Sequence, residues 1–464
     1  MWFAFRHSGV SLILAAGFFV GVQAQAQGQA SAEICPCDST DAAVEAQYET
    51  ITGLMKDWNA VVSKARAQLK TRTRDELGVL CQKAKDAAEK MRKSGVHMDV
   101  GLGADIREKN GYKKDILGGD PMWASIMDQT YLKCFESEKV CTGVKHFPGI
   151  GSLIVDPHDE LSPQILDTRD LLYHEFSPFY AAVQANACSI MTTHATVRTA
   201  DGREESCLFS KGCIDILRKG MGFNRLVVSD EIFAMNAPLD ALIEMEYRAY
   251  LPKDPEQLQG WRRKNVGERA ADIAIAACKE RPKPCSDREF ENMMGDILDD
   301  DGSRRAVAAM KAGNDSVLMF YPPRYIVPGV KAITKRAIQE VKAGRFPLDQ
   351  LNASVLRVLS EKDRLIGKAI YASTPGAKSP QDLLARMSLE EKVKQLLVID
   401  GRYKGVQAAQ KLDLGGVYLP DDPVGTGSSR PKVPLLVMGD HEYAGGNRKI
   451  GDRIMEAEAQ AEPN

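Results

Sequence analysis

Residues 145–158 read KHFPGIGSLIVDPH, and they follow a short apolar run at 141–144 that is typical of a β-strand. The stretch holds two of the seven histidines, a lysine and an aspartate around a Pro-Gly-Ile-Gly turn. A strand that ends in Lys145 and His146 and breaks at Pro148 is suited to hold polar groups at the mouth of a pocket. A surface loop that happens to be rich in histidine is the alternative, and spacing alone does not separate the two.

Strand-like and helix-like runs alternate on both sides of this stretch. Helical periodicity covers 44–95, and a charged segment at 252–284 reads as a helical insertion. Further strand-like runs lie at 96–102, 188–194, 225–230 and 315–321. This alternation predicts a parallel α/β fold, either a barrel or an open doubly wound sheet, and both place the site at the carboxyl ends of the strands. The sequence has neither G-x-G-x-x-G nor a P-loop motif, the usual signals of nucleotide binding.

The net charge and the N-terminal sequence further limit the class of protein. The 464 residues carry a formal charge of −2, which gives no reason to expect nucleic acid as a partner. Residues 1–26 combine basic residues, an apolar run at 10–20 and an Ala-x-Ala site, so a signal peptide and a periplasmic or secreted protein are expected. An uncleaved anchor is the alternative. No later stretch is long and apolar enough to span a membrane.

All ten cysteines follow that segment, as expected for an oxidising compartment. Close spacing predicts loop-closing disulfides, while the Cys35-Pro-Cys37 pair is too tight and should bond elsewhere, for example to Cys81 or Cys188. The predicted close pairs are Cys134/Cys141, Cys207/Cys213 and Cys278/Cys285.

Several motifs together resemble one enzyme family. KHFPGIG at 145–151, with Asp-Pro-His at 156–158, is similar to the K-H-F-P-G-H-G…D-S-H signature of glycoside hydrolase family 3, and closest to its β-N-acetylglucosaminidase branch. Further ordered matches are IMTTH at 190–194, VVSDE at 227–231, AGNDSVL at 312–318 and GRFPL at 344–348. The resemblance implies a TIM-type (β/α)8 barrel.

The motifs that open the family's barrel close this chain. They are SLEEKVKQLL at 388–397, GGVYL at 415–419 and PLLVMGDHEYAGG at 434–446. A circularly permuted barrel is therefore expected, in which 44–368 supplies family strands 3–8, 369–381 is a linker and 382–450 supplies the first two strands. The strand at 433–438 should then lie beside the strand at 96–102. A truncated second copy of the domain is the alternative.

The resemblance also implies roles for individual residues. Asp230 matches the nucleophile of a retaining, exo-acting β-glycosidase that removes a nonreducing terminal sugar through a covalent glycosyl-enzyme. Asp156 and His158 match the acid/base dyad, since histidine titrates near neutrality and a carboxylate stabilises its charged form. A histidine base also leaves transfer to phosphate open. Four residues match sugar-binding positions: Lys145, His146, His194 and Asp440.

Three departures from the family pattern bear on function. Ile150 replaces the second histidine of the signature, His441 replaces a glutamine, and the family's sugar-binding arginine aligns near Asp115. The last two favour, as the main alternative, a non-catalytic carbohydrate-binding protein on a decayed barrel, whereas the intact Asp230, Asp156 and His158 argue against it. No cofactor or metal is expected. A metal-dependent hydrolase would have to use His146, Asp156, His158 and His194, whose spacing matches no metal motif. The resemblance implies an amino-sugar or glucoside substrate, such as cell-wall or chitin fragments.

Overall fold

A computed structural model describes residues 39–106, 111, 119–157, 164–233, 248–262, 266–283, 285–321, 323–401, 405–419 and 435–439. The described residues from Val44 onward form one compact unit. The expected signal peptide and both Cys35 and Cys37 lie outside the described residues. None of the described helices is long and apolar enough to cross a membrane.

Short buried strands alternate with longer helices throughout the described ranges. The strands are β1 (Met98–Gly103), β2 (Cys141–Phe147), β3 (Leu166–Asp167), β4 (Ser189–Thr192), β5 (Thr196–Arg198), β6 (Glu204–Ser206), β7 (Leu226–Ser229), β8 (Val317–Met319), β9 (Leu397–Asp400), β10 (Gly416–Leu419) and β11 (Leu436–Gly439). The helices are α1 (Ser39–Ala67), α2 (Thr71–Lys93), α3 (Pro121–Glu136), α4 (Phe176–Gln184), α5 (Lys211–Asp215), α6 (Pro255–Arg262), α7 (Val266–Lys279), α8 (Asp287–Ala312), α9 (Ile326–Lys342), α10 (Leu348–Ile366), α11 (Pro380–Arg386), α12 (Leu389–Gln395) and α13 (Gly405–Leu412).

Eight strands form one parallel sheet in the order β7-β4-β2-β1-β11-β10-β9-β8. The sheet closes because Val228 of β7 forms a parallel bridge with Ser316, and the Ser229 amide donates to the Ser316 carbonyl at 2.8 Å. The strands are apolar runs because helices cover a parallel sheet on its outer face. The predicted TIM-type (β/α)8 barrel is confirmed. A separate three-stranded sheet, β3-β5-β6, follows the ends of β2 and β4 along the chain.

The last strand of the chain lies beside the first. β11 pairs in parallel with β1, with Met98 opposite Met438, which confirms the neighbours expected for 433–438 and 96–102. His97 adds two hydrogen bonds to this strand pair. Its amide donates to the Val437 carbonyl at 2.9 Å, and its Nδ1 atom accepts from the Val437 amide at 3.1 Å. The first and last parts of the chain therefore meet inside one barrel.

The division of strands differs from the expected one. Among the described residues, 44–368 contributes five barrel strands where six were expected, and 382–450 contributes three where two were expected. The additional strand is β9, because α12 ends at Gln395 and the apolar run after it pairs with β8 and β10. A short apolar run that follows a helix cannot be told from a further helical turn by periodicity. Within the stretch 369–381, Ile370 is fully buried in the core.

Capping residues explain where several helices begin and end. The Ser286 hydroxyl accepts from the Glu289 amide and the Glu289 carboxylate accepts from the Ser286 amide, which starts α8, and Gly313 ends it with a φ of 117°. The same reciprocal box joins Ser388 and Glu391 at the start of α12. The helices expected at 44–95 and in the insertion at 252–284 are present as α1, α2, α6 and α7.

Two of the expected disulfides are present and one is wrong. Cys207–Cys213 and Cys278–Cys285 form as predicted. Cys134 instead bonds Cys81, whose Cα lies 5.3 Å away, because α3 packs against α2. Cys141 bonds Cys188 across the neighbouring strands β2 and β4. Neither Cys81 nor Cys188 is therefore a partner for Cys35 or Cys37.

Candidate active site

Four polar side chains meet where neighbouring barrel strands end. Asp105 follows β1, His146 lies near the end of β2, His194 follows β4 and Asp230 follows β7. These strands are adjacent in the order β7-β4-β2-β1, so their carboxyl ends share one rim of the barrel. In a barrel of parallel strands this rim is where active sites are built.

Asp230 lies between two histidine rings. Its Oδ2 atom is 3.7 Å from Nε2 of His194 and 3.9 Å from Nε2 of His146. Its Oδ1 atom accepts a hydrogen bond from the Glu231 amide at 2.8 Å. The side chain keeps a small opening to solvent, whereas the His194 side chain has none. One carboxylate oxygen is thus fixed by the backbone, and the other faces two groups that can carry positive charge.

Asp105 contacts the His146 ring on the side away from Asp230. Oδ2 of Asp105 lies 3.0 Å from Nδ1 of His146, and Oδ1 accepts from the amides of His146 and Ile150 at 3.2 and 3.0 Å. Asp105 was missed in the sequence, where it reads as one polar residue at the start of a loop. The available signal was its place two residues after β1, the same offset that His194 has from β4.

Glu231 points away from the two histidines, as the alternation of strand side chains predicts. Its Oε1 atom accepts hydrogen bonds from the amides of Phe233 and Phe320, both at 3.0 Å, and so ties the chain after β7 to the end of β8. Burial raises the pKa of the Glu231 carboxyl to about 7, and the neighbouring Asp230 charge adds to this. Glu231 therefore helps to fix the backbone that carries Asp230.

The loop after β2 is tightly packed at its start. Gly149 has a φ of 113°, and a Cβ at Gly151 would lie 1.7 Å from the Ile106 carbonyl oxygen, so both positions require glycine. The Ser152 amide donates to Glu175 at 3.1 Å. Ile150 is apolar and fully buried in the core, so its side chain adds no polar group to the site. The β2 end carries two cis peptide bonds, at Lys145-His146 and Phe147-Pro148.

The remaining predicted site residues are only partly covered by the described ranges. Lys145 is buried in β2, next to His146. Asp156 is half-buried in the loop that follows, while its expected partner His158 lies outside the described residues. Asp440 also lies outside them, and the residue before it, Gly439, ends β11 beside β1. Across the described ranges, no group of three or more His, Cys, Asp and Glu side chains could hold a metal ion.

Comparison with known proteins identifies the family. The family model described as "Glycosyl hydrolase family 3 N terminal domain" matches residues 11–247, just over half of the chain. The chain belongs to glycoside hydrolase family 3.

Individual proteins and solved structures are also similar to parts of this chain. A β-hexosaminidase of Xanthomonas campestris pv. campestris (strain B100) is 30% identical over 164 residues, which cover 34% of this chain and 49% of that protein. A β-hexosaminidase of Xylella fastidiosa (strain M12) is 29% identical over 147 residues, covering 31% and 43%. The chain thus spans about half the length of these curated relatives. A glycoside hydrolase family 3 β-N-acetylglucosaminidase from Paenibacillus sp. str. FPU-7 is 16% identical, with a TM-score of 0.44, and the match covers 78% of this chain and 71% of that chain.

Proposed function

We propose that the protein is an exo-acting retaining β-glycoside hydrolase of the β-N-acetylhexosaminidase type. The observation that carries the proposal is the placement of Asp230, which faces the shared rim of the barrel between the Nε2 atoms of His146 and His194. A carboxylate beside groups that can hold positive charge stays ionised, as a nucleophile must. The curated relatives named β-hexosaminidase support the sugar class.

The reaction proceeds in two displacements. A carboxylate oxygen of Asp230 attacks the anomeric carbon, the bond from that carbon to the glycosidic oxygen breaks, and His158 gives its proton to the leaving oxygen. His158 then takes a proton from water, whose oxygen attacks the same carbon and breaks the ester to Asp230. The sugar leaves with its configuration retained. Asp156 orients His158 and stabilises its charged form.

Lys145, His146, His194 and Asp440 bind the hydroxyl groups of the nonreducing sugar in this proposal. Asp440 belongs to the piece of chain that carries the family's opening motifs, so the barrel is a circular permutation in which β9, β10 and β11 are the family's first strands. The pairing of β11 with β1 supports this order. The leader at 1–26 and the four disulfides among the described residues support export to the periplasm or beyond the cell.

Hydrolysis of an aryl β-N-acetylglucosaminide and an aryl β-glucoside tests the proposal. The wild type should release the aryl alcohol faster from the N-acetylglucosaminide, and Asp230→Ala should lose at least about 10³-fold in kcat because no nucleophile remains. Asp215→Ala is the matched control, since that aspartate pairs with Lys211 on α5. Full activity in Asp230→Ala would remove the mechanism. Added phosphate, with the product identified, separates hydrolysis from transfer to phosphate.

A non-catalytic carbohydrate-binding protein is the second candidate, and Ile150 favours it. This residue is fully buried among apolar side chains, where the family signature has a histidine. A chain that had lost catalysis would bind N-acetylglucosamine oligomers in calorimetry but turn over neither aryl glycoside. That combination of results would replace the enzyme proposal.

A further inference from the structure

Asp105 has no role in the mechanism described so far, yet it is nearly completely buried against the site. It accepts three hydrogen bonds, from the ring and the amide of His146 and from the Ile150 amide. The contact with the ring fixes which nitrogen faces the nucleophile, because Nδ1 lies against Asp105 and Nε2 lies 3.9 Å from Asp230. Three residues at the ends of β1, β2 and β7 therefore form a chain, Asp105–His146–Asp230.

We propose that Asp105 is a positioning residue that keeps a proton on Nδ1 of His146, so that Nε2 faces Asp230 and the ring can carry positive charge beside the nucleophile. The inference rests on the proposed function of Asp230. A carboxylate that accepts Nδ1–H sets the tautomer of a histidine and favours its charged form. An imidazolium beside Asp230 in turn keeps that carboxylate ionised for attack.

The carboxylate of Asp105 acts on one further buried group. A second carboxyl, Asp128 on α3, is fully buried, and neither of its oxygens has a hydrogen-bond partner among the described residues. Burial raises the pKa of Asp128 well above its ordinary value, and the charge of Asp105 raises it further. Burial therefore favours the neutral, protonated form of Asp128.

Other titratable groups near this part of the barrel have defined places. Lys145 is adjacent in β2, and the Nε2 atom of His194 lies 3.7 Å from the same Asp230 oxygen that His146 approaches. Glu175 precedes α4, and its carboxylate accepts from the Ser152 amide. Of the groups described, Asp105 is the one that contacts the Nδ1 atom of His146. A change confined to Asp105 therefore acts on the ring first and on Asp230 through it.

Nitrogen NMR of the histidine rings in the wild-type protein tests the geometry directly. In spectra of uniformly ¹⁵N-labelled protein, the His146 signals are assigned as those that disappear in His146→Gln. They should show a proton on Nδ1 in both the neutral and the charged form of the ring. An unprotonated Nδ1 in the neutral ring would overturn the proposal. This measurement needs no activity, so it remains decisive if the wild type turns over no glycoside and the proposed function itself fails.

Two substitutions separate the charge of Asp105 from its hydrogen bond. Asp105→Asn keeps an acceptor without the charge, and Asp105→Ala removes both, so kcat should fall about 10-fold and about 100-fold, with a smaller change in KM. In both variants the acid limb of the kcat/KM profile should move up by about one pH unit, because Asp230 loses a positive neighbour.

Asp99→Asn is the control, because Asp99 is a buried carboxylate of β1, the strand that Asp105 follows, and it accepts hydrogen bonds from the Thr142 hydroxyl and the Gly101 amide. It should lower the melting temperature without moving the pH profile. A purely structural role for Asp105 predicts the same behaviour for Asp105→Asn, namely reduced stability with unchanged ring protonation and an unchanged acid limb. That result would contradict the inference.

Discussion

Replacing His97 with asparagine should make the fold less sensitive to acid. His97 joins the first barrel strand to the last, with its Nδ1 atom accepting from the Val437 amide at 3.1 Å. Burial first, and then the positive charge of Lys362, together lower the pKa of His97 to about 4. A protonated Nδ1 cannot accept a hydrogen bond, so charging this ring breaks the contact with β11.

The size of the effect follows from the lowered pKa. The neutral ring is favoured in the fold, so the stability that it contributes is complete above about pH 6.5 and is lost as the pH falls towards about 4. A lowering of about 2.5 units corresponds to about 3 kcal/mol, and partial exposure of the ring reduces this to about 2 kcal/mol. Asparagine can accept from the same amide but does not titrate.

Urea unfolding at about pH 7.5 and about pH 4 provides the assay, with far-ultraviolet circular dichroism as the signal. Between these two conditions the wild type should lose about 2 kcal/mol more than His97→Asn. His174→Asn is the matched control, because His174 lies in the turn before α4 and should leave the acid loss unchanged. An equal loss in the wild type and His97→Asn would refute the assignment of His97 as the acid-sensitive joint.

Two further substitutions test the packing of the barrel. Burial lowers the pKa of Lys362 to about 7, so its charged form disfavours folding below about pH 10 and does so fully below about pH 7. In urea titrations near pH 7, Lys362→Met should raise the free energy of unfolding by about 2 kcal/mol, a net value that already subtracts the lost hydrogen bond to Gln395. The gain should vanish near pH 10, as the lysine of the unfolded chain also loses its charge. Gly151→Ala should reduce kcat/KM at least about 100-fold, because the added Cβ would collide with the Ile106 carbonyl. Gly53→Ala is the control, because this position on α1 has open space around it. It should keep full activity and raise the free energy of unfolding by about 0.5 kcal/mol. Equal activities of the two alanine variants would contradict this packing.

The barrel could be predicted from the sequence because its signals are local. β4 and β7 are short, largely apolar runs, and His194 and Asp230 follow them within two residues. β9 was missed because four apolar residues after α12 carry no periodicity of their own. The residues at 397–400 became a strand only because β8 and β10 flank them, which is a contact distant in sequence.

The candidate site was predictable in its chemistry but not in its geometry. Asp230 and His146 stand in recognisable motifs, whereas the role of Asp105 becomes clear from its 3.0 Å contact with the His146 ring. The disulfide Cys81–Cys134 was missed for a similar reason, since 53 residues separate the two cysteines and only the packing of α2 against α3 brings them together. Contacts of this kind depend on tertiary structure, which short-range spacing does not contain.

The central claim is that Asp230 forms a covalent bond to the sugar, and trapping that bond tests it most directly. An activated, fluorinated N-acetyl-β-glucosaminide that slows the second displacement should accumulate a glycosyl-enzyme, and peptide mass spectrometry should place the added mass on Asp230. Asp230→Asn should give no adduct. An adduct on another residue, or turnover by the wild type and Asp230→Asn alike without any adduct, would contradict the account.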